Sequence, residues 1–278
     1  MGVSAPRSGD VAGRLLRAWD AASLVPLPSA DPTPLDMPAA WQVARELRER
    51  RLARGEEVAG WKIGFTNRSI WARYRVHAPI WGPVWREGLV QLEGDEATLS
   101  LAGLCQPRLE PEIVFGFAHT PQAGMDLDAL RECLAWVAHG FEIVHTHFEG
   151  WRFTAPDTVA DFALHGRLLV GRRVDVSGWT SLGADLAALR LTLHEGGEQR
   201  DAGQGSVVLD GPLHALRHWL AEMAVHTPDW RVGPGHVVTT GTLTDAWPLQ
   251  PGQVWRTGLE VPGVHGRGLR GLTLRVAA

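Results

Sequence analysis

Glu110 and Glu112 stand two apart in the stretch CQPRLEPEIVFGF, and HGFEIVH carries Glu142 30 residues after Glu112. In an extended chain side chains alternate between faces, so both carboxylates of the first run point the same way. Val114 and Gly116 share that face, whereas Ile113, Phe115 and Phe117 point to the other. Glu142 likewise shares a face with Gly140 and Val144. Two acid-bearing strands with small neighbours can converge on one cation. A hard divalent ion such as Mg²⁺ or Mn²⁺ takes oxygen ligands in near-octahedral geometry, so three carboxylates leave positions for water or a chelating substrate. A lone E-x-E, by contrast, reads most simply as two glutamates facing solvent.

The chain holds one lysine among 27 basic residues, the other 26 being arginines, and it lies at Lys62 in GWKIGFTNR. Arginine meets almost any need for surface charge, but its guanidinium cannot give up a proton in a protein, whereas a buried ammonium can be tuned toward neutrality. Lys62 is therefore a candidate for proton chemistry, set against simple survival at an arbitrary position.

These residues need a scaffold. Leu15, Leu16, Trp19 and Leu24 recur at helical spacing, and a second helix is expected from Asp36 to Arg54, opened by a capping residue and stopped by Gly55. After Glu57 the chain turns to short apolar runs punctuated by glycine and proline: VAGWKIGF, EIVFGF, HGFEIVH, GRLLVGRRVDV, LRLTLHE, HVVTTGTL and LRGLTLRV, all read as strands. Helices are expected at about 126–138, 157–165 and 211–224. Strands outnumber helices without regular alternation, which favours an α+β fold with a mixed or sheet-on-sheet core over a doubly wound one. The change of character sets a division between an N-terminal helical region, 1–75, and a catalytic domain, 76–278.

Bulk composition narrows the function. A net charge of -4 with no isolated basic block offers no footprint for nucleic acid. No run approaches the ~18 apolar residues of a membrane span, and the opening MGVSAPRSGDVAGRLL lacks the apolar core of a secretory leader. The two cysteines, Cys105 and Cys133, suit a reducing compartment. A cytoplasmic protein is expected.

In combination, GWKIGFT, PRLEPEIVF, FEIV, DTVAD at Asp157–Asp161, GPLHALRHWLA and VVTTGTLTDAWPLQPGQ resemble the 2-keto-4-pentenoate hydratase and 4-oxalocrotonate decarboxylase family of the fumarylacetoacetate hydrolase superfamily. The resemblance runs over roughly residues 40 to 278. It implies the mixed-sheet core of the fumarylacetoacetate hydrolase C-terminal-domain type with an N-terminal helical region. It also implies a Mg²⁺ or Mn²⁺ site from Glu110, Glu112 and Glu142, and a catalytic Lys62 whose pKa the ion would push down. The substrate would be an enolisable 2-oxo acid, hydrated as a 2-oxo-4-enoate or decarboxylated as its carboxylated relative, with Arg108 and Thr242 as substrate-binding residues. A homo-oligomer, a partner pathway enzyme and a place in aromatic catabolism are further implications. Acylpyruvate-type C–C hydrolysis, or a non-catalytic partner subunit, is the alternative.

Two departures bear on the reaction. Where hydratases of the family carry an aspartate in a Pro-Asp-Phe-Gly-like turn, this chain has Pro79, Ile80, Trp81 and Gly82, closer to the decarboxylase branch. After DTVAD, polar positions are taken by Phe162, Leu164 and His165; His165 is expected either to replace a lost acid or base or to be a packed histidine.

Other motifs carry less. Gly266, Gly268 and Gly271 satisfy G-x-G-x-x-G, but too little chain follows for a dinucleotide unit. His145 and His147 sit on the wrong parity to share Glu142's face unless the strand ends first, and the pair His214 and His218 lacks the glutamate of a zinc-protease helix.

Overall fold

The computed structural model describes residues 10–266 and 268–278. Residues 1–9, read above for a leader, lie outside the described residues. Helix α1, Val11–Ala21, starts where the Asp10 carboxylate accepts a hydrogen bond from the Gly13 amide, and it ends at a left-handed Ala22. It stops short of Leu24, which is exposed rather than part of its apolar face. Helix α2, Met37–Ala53, is capped by Asp36 in the same way. The two helices bury Leu15, Ala40, Ala44 and Leu47 completely or nearly so, and Trp41 of α2 stacks on Trp81 with ring centroids 4.1 Å apart.

The strands are β1 Val58–Gly64, β2 Ile80–Trp85, β3 Leu89–Gln91, β4 Glu96–Leu99, β5 Arg108–Phe117, β6 Leu134–Val144 and β7 His165–Val170. They continue with β8 Val174–Asp175, β9 Arg190–Glu195, β10 Glu198–Gln204, β11 Val237–Thr239, β12 Trp247–Pro248, β13 Val254–Glu260 and β14 Thr273–Val276. A nine-stranded sheet runs β2-β1-β11-β5-β6-β7-β3, with β12 beside β5 and β8 beside β6; β10-β9-β13-β14-β4 form a second sheet. Pairing is mixed, since β1 with β11 and β3 with β7 are parallel while β5 with β6 is antiparallel. The expected α+β class with a mixed sheet holds. Strand β1, on the N-terminal side of the division expected at 75 and 76, is an inner strand of the larger sheet.

The remaining helices are α3 Trp71–Tyr74, α4 Leu127–Glu132, α5 Ala155–Ala160 and α6 Leu182–Ala188, all short, then the longer α7 Pro212–His226 and the one-turn α8 Gly263–Gly266. The helix expected over 126–138 stops at Glu132, and the chain from Leu134 is strand. LAWVA suits a helix by local preference, but hydrogen-bonding partners on both sides, β5 and β8, draw it into the sheet. The helix expected to reach 165 also ends early. Phe162, Ala163 and Leu164 all take positive φ, and His165 opens β7. Gly82 explains part of that path: a Cβ there would come 2.2 Å from the Phe162 carbonyl oxygen, so only glycine lets the two backbones meet. After Gly271 the chain enters β14 of the second sheet.

The stacked Trp41 and Trp81 join the N-terminal helices to the larger sheet. Trp81→Ala should lower unfolding free energy by about 3–5 kcal/mol in urea titrations monitored by circular dichroism. Wild-type stability in that variant would mean that the contact is not a structural joint.

Candidate metal centre

In the register of β5 and β6, Glu110 lies directly opposite Glu142 and Glu112 opposite Gly140. Like charges facing each other across a strand pair repel, and burial removes the water that would screen them. Glu112 and Glu142 are completely buried and Glu110 is half-buried, with one carboxylate oxygen from each lying within 4.8 Å of the others. Among the described residues this is the one such cluster of three or more acidic, histidine or cysteine side chains.

Neighbouring strands and the turn after β11 hold two of the carboxylates, Glu142 and Glu112. Lys62 on β1 pairs in register with Thr239, the last residue of β11, and its Nζ lies 3.4 Å from Glu142 Oε1. Because β11 stops at Thr239, the following turn can approach β5. There the Gly241 amide donates to Glu112 Oε2 at 2.7 Å. Gly241 has φ +105°, and a Cβ on it would fall 1.8 Å from Thr66 Oγ1, so the turn requires glycine twice over. Thr239 Oγ1 donates to Glu142 Oε2 at 3.4 Å, and His165 Nδ1 lies 2.7 Å from Glu142 Oε1. Facing a carboxylate, that nitrogen carries the proton. Glu112 Oε1 is buried and has no hydrogen-bond partner.

Titration follows from this geometry. Burial, reinforced by Glu142 and Glu110, pushes Glu112 well above the ordinary carboxylate range, and burial raises Glu110 to about 7. Burial would raise Glu142 too, but Lys62 and the His165 hydrogen bond outweigh it and hold this carboxyl low. His165 is lowered, chiefly by burial. The lowering expected of Lys62 concerns the ion-loaded site, and the ion-free site behaves differently. Burial alone would lower it, yet Glu142, Glu110 and Glu112 together raise it, so without an ion the ammonium is held charged rather than pushed toward neutrality.

The donor set fits a hard divalent cation. Three carboxylates against one ammonium leave an excess of two negative charges when all are ionised, which one divalent ion balances, and Glu112 Oε1 is an oxygen waiting for a partner. A soft or thiolate-seeking metal finds no ligand here, since both cysteines are free and buried elsewhere in the chain.

Beside the cluster lies a cavity of about 220 Å³ whose lining includes Lys62, Arg108, Glu110 and Thr242. Thr242 Oγ1 donates to the Thr244 carbonyl at 2.9 Å. Arg108 lies flat on Trp151, its guanidinium carbon 4.1 Å from the ring centroid, with Nε buried and unpartnered. His165 does not line the cavity; it is 1% exposed and meets Glu142 instead. His145 and His147 also stay out of the cluster. Strand β6 ends at Val144, and the two rings turn into the core, where His147 Nδ1 lies 2.9 Å from both oxygens of Asp161. Gly241 and Thr239 were not expected among the site residues. Their signal was the glycine inside the run HVVTTGTL, read above as one strand, since an isolated glycine in a strand pattern marks a break or a close backbone approach.

Isothermal titration with Mg²⁺ tests the arrangement. His165→Ala should weaken binding by about 10–100-fold through loss of the group that orients Glu142, and Glu112→Gln should weaken it more. An unchanged affinity in Glu112→Gln would remove that residue from the donor set.

No family model matches the chain. It is 31% identical to a 2-hydroxyhexa-2,4-dienoate hydratase of Comamonas testosteroni over 236 residues, covering 84% of this chain and 85% of that protein. It is 29% identical to a 4-oxalocrotonate decarboxylase of a Pseudomonas species over 212 residues, covering 76% and 78% of the two chains. The solved structure of 4-oxalocrotonate decarboxylase from Pseudomonas putida G7, complexed with magnesium and adipate, superposes with a TM-score of 0.84 at 24% identity, covering 96% of this chain and 95% of that one. Further structures of the fumarylacetoacetate hydrolase family share the fold, as expected. These relatives do not favour the alternative of an acylpyruvate-type hydrolase or a non-catalytic subunit. The chain is a lyase-type enzyme and belongs to the 2-keto-4-pentenoate hydratase and 4-oxalocrotonate decarboxylase family.

Proposed function

We propose that the protein is a Mg²⁺- or Mn²⁺-dependent decarboxylase of an unsaturated 2-oxo acid carrying a second carboxylate. The observation that carries this choice over hydration is the wall next to Lys62. A Cβ built on Gly64 would lie 3.2 Å from Ile80 Cγ1 and 3.3 Å from Lys62 Nζ, so the two side chains flank one glycine. Where a water-activating acid could stand beside the amine, there is hydrocarbon. Ala163, Leu164 and Val144 extend it, and the cavity's two carboxylates are Glu110 of the acidic cluster and Asp245, which is exposed. A dry wall suits loss of CO₂, because an apolar environment disfavours the localised charge of a carboxylate relative to the delocalised charge that replaces it.

Glu110, Glu112 and Glu142 would hold the ion, whose charge, when bound, favours enolate formation from a 2-oxo acid. Arg108 would take a substrate carboxylate through its unpartnered Nε, and Thr242 would help line the bound acid. As the bond to the departing carboxylate breaks, its electron pair moves along the conjugated chain to the 2-oxygen. Lys62 Nζ, held charged by its three acidic neighbours, presents a proton to that oxygen. His165 would act through Glu142, keeping one carboxylate oxygen oriented.

A homo-oligomer, association with a partner pathway enzyme, a role in aromatic catabolism and a cytoplasmic location belong to the same proposal. Among the described residues no helix is long and apolar enough to cross a membrane.

The test is product analysis on the Mg²⁺-loaded protein. 4-Oxalocrotonate should release CO₂, with activity abolished by EDTA and restored by Mg²⁺ or Mn²⁺. Lys62→Arg should lose about 10²–10⁴-fold in kcat, since the guanidinium keeps charge but cannot give up a proton. Efficient hydration of a 2-oxo-4-enoate without CO₂ release from 4-oxalocrotonate would make the enzyme a hydratase, and full turnover by Lys62→Arg would end the proton-transfer role.

A further inference from the structure

The cavity wall away from the acidic cluster is aromatic, and its rings are half-buried, unlike the fully buried Trp61, Trp81 and Phe141 of the core. Phe65 stacks on Tyr74, the sole tyrosine of the chain, with centroids 4.7 Å apart and planes 24° from parallel. Tyr74 stacks in turn on Phe153 at 5.8 Å and 20°. Phe153 leans on Trp151 at 6.0 Å, and Trp151 carries the Arg108 guanidinium on its face. These five side chains all line the cavity. They make a continuous ladder from the turn after Lys62 to the one arginine of the lining.

Three of the residues that build it hold positive φ without being glycine or neighbour one that does: Phe65 at 56°, Trp151 at 59°, and Arg75, directly after Tyr74, at 54°. Left-handed backbone at bulky residues persists only where surrounding structure imposes it, and such positions cluster around ligand sites. Phe65 and Phe153 also pack against the core, but each ring of the ladder stays only half-buried and lines the cavity.

We propose that Tyr74, the central rung between Phe65 and Phe153, is a specificity-determining residue that selects substrates by the flatness of their carbon chain. This rests on the proposed reaction in one respect, that the polar end of the substrate lies at Glu110 and Lys62. Arg108 stands two residues before Glu110 on β5, and the ladder walls the cavity that both residues line. A conjugated chain is planar and offers a π face to the rings, gaining the stacking that aromatic pairs show beyond simple area burial. A saturated chain of the same length puckers and makes only hydrocarbon contact.

Two six-carbon dicarboxylates that lack a 2-oxo group probe the wall without turnover: trans,trans-muconate, which is flat, and adipate, which is not. Dissociation constants are measured by calorimetry on the Mg²⁺-loaded full chain. The wild-type protein should prefer muconate, Tyr74→Leu should lower the ratio of the two constants by about fivefold, and Tyr74→Phe should preserve it. Phe153→Leu, on the adjacent rung, should lower the ratio in the same direction and provides a second reading if Tyr74→Leu does not fold. A ratio unchanged in both leucine variants overturns the proposal, as does absence of muconate binding to the wild-type protein. Loss of the ratio in Tyr74→Phe overturns it too, assigning selection to the hydroxyl. The proposed reaction fails separately: muconate selectivity that depends on Tyr74, in a protein that releases no CO₂ from 4-oxalocrotonate, leaves the wall standing and removes the chemistry.

Discussion

Three carboxylates are forced together by backbone register, two of them with no access to water. Glu110 and Glu142 oppose each other because the hydrogen-bond ladder between their strands allows no other alignment, and Glu112 follows two residues on. A strand pair that places like charges face to face is destabilised by itself. The arrangement is tolerable only if positive charge is supplied or protons are retained. Lys62 supplies one charge, and the raised carboxyls of Glu110 and Glu112 mark what remains unbalanced. A divalent cation would complete the balance with oxygen ligands already gathered.

Much of the neighbouring structure reads as a response to that constraint. Strand β11 is only three residues long, and its early end lets the Gly241 turn aim an amide at Glu112. His165 on the adjacent strand β7 and Thr239 on β11, beyond β5, both hydrogen-bond to Glu142, so the carboxylate that Lys62 approaches is held at both oxygens. A carboxylate fixed this way cannot swing to relieve repulsion, which preserves its geometry for an ion at some cost in folding stability. The His145 and His147 rings, although close in sequence, take no part; burial and neighbouring cations keep His145 far below the usual imidazole range, so it packs as a neutral ring.

The cavity separates two kinds of surface. Near the cluster stand the amine and a hydrocarbon wall built around Ile80. Further out stand aromatic faces ending in Arg108. An unsaturated acid has the same division, with a chelating polar end and a flat apolar chain.

The amino-acid order alone determined which residues could do chemistry. The two-residue period of strands put Glu110 and Glu112 on one side, the solitary amine stood out by rarity, and Asp36 marked a helix start. It did not determine partners. That Glu110 faces Glu142, that LAWVA joins a strand rather than a helix, and that His165 meets a carboxylate while His147 meets Asp161 all depend on inter-strand register and on where β6 ends. The charge state of Lys62 belongs to the same class, because it is the sum of fields from residues far apart in the chain. Local preference acts over a few residues, whereas pairing, burial and electrostatic coupling act through space, and only the folded chain brings those distances within reach.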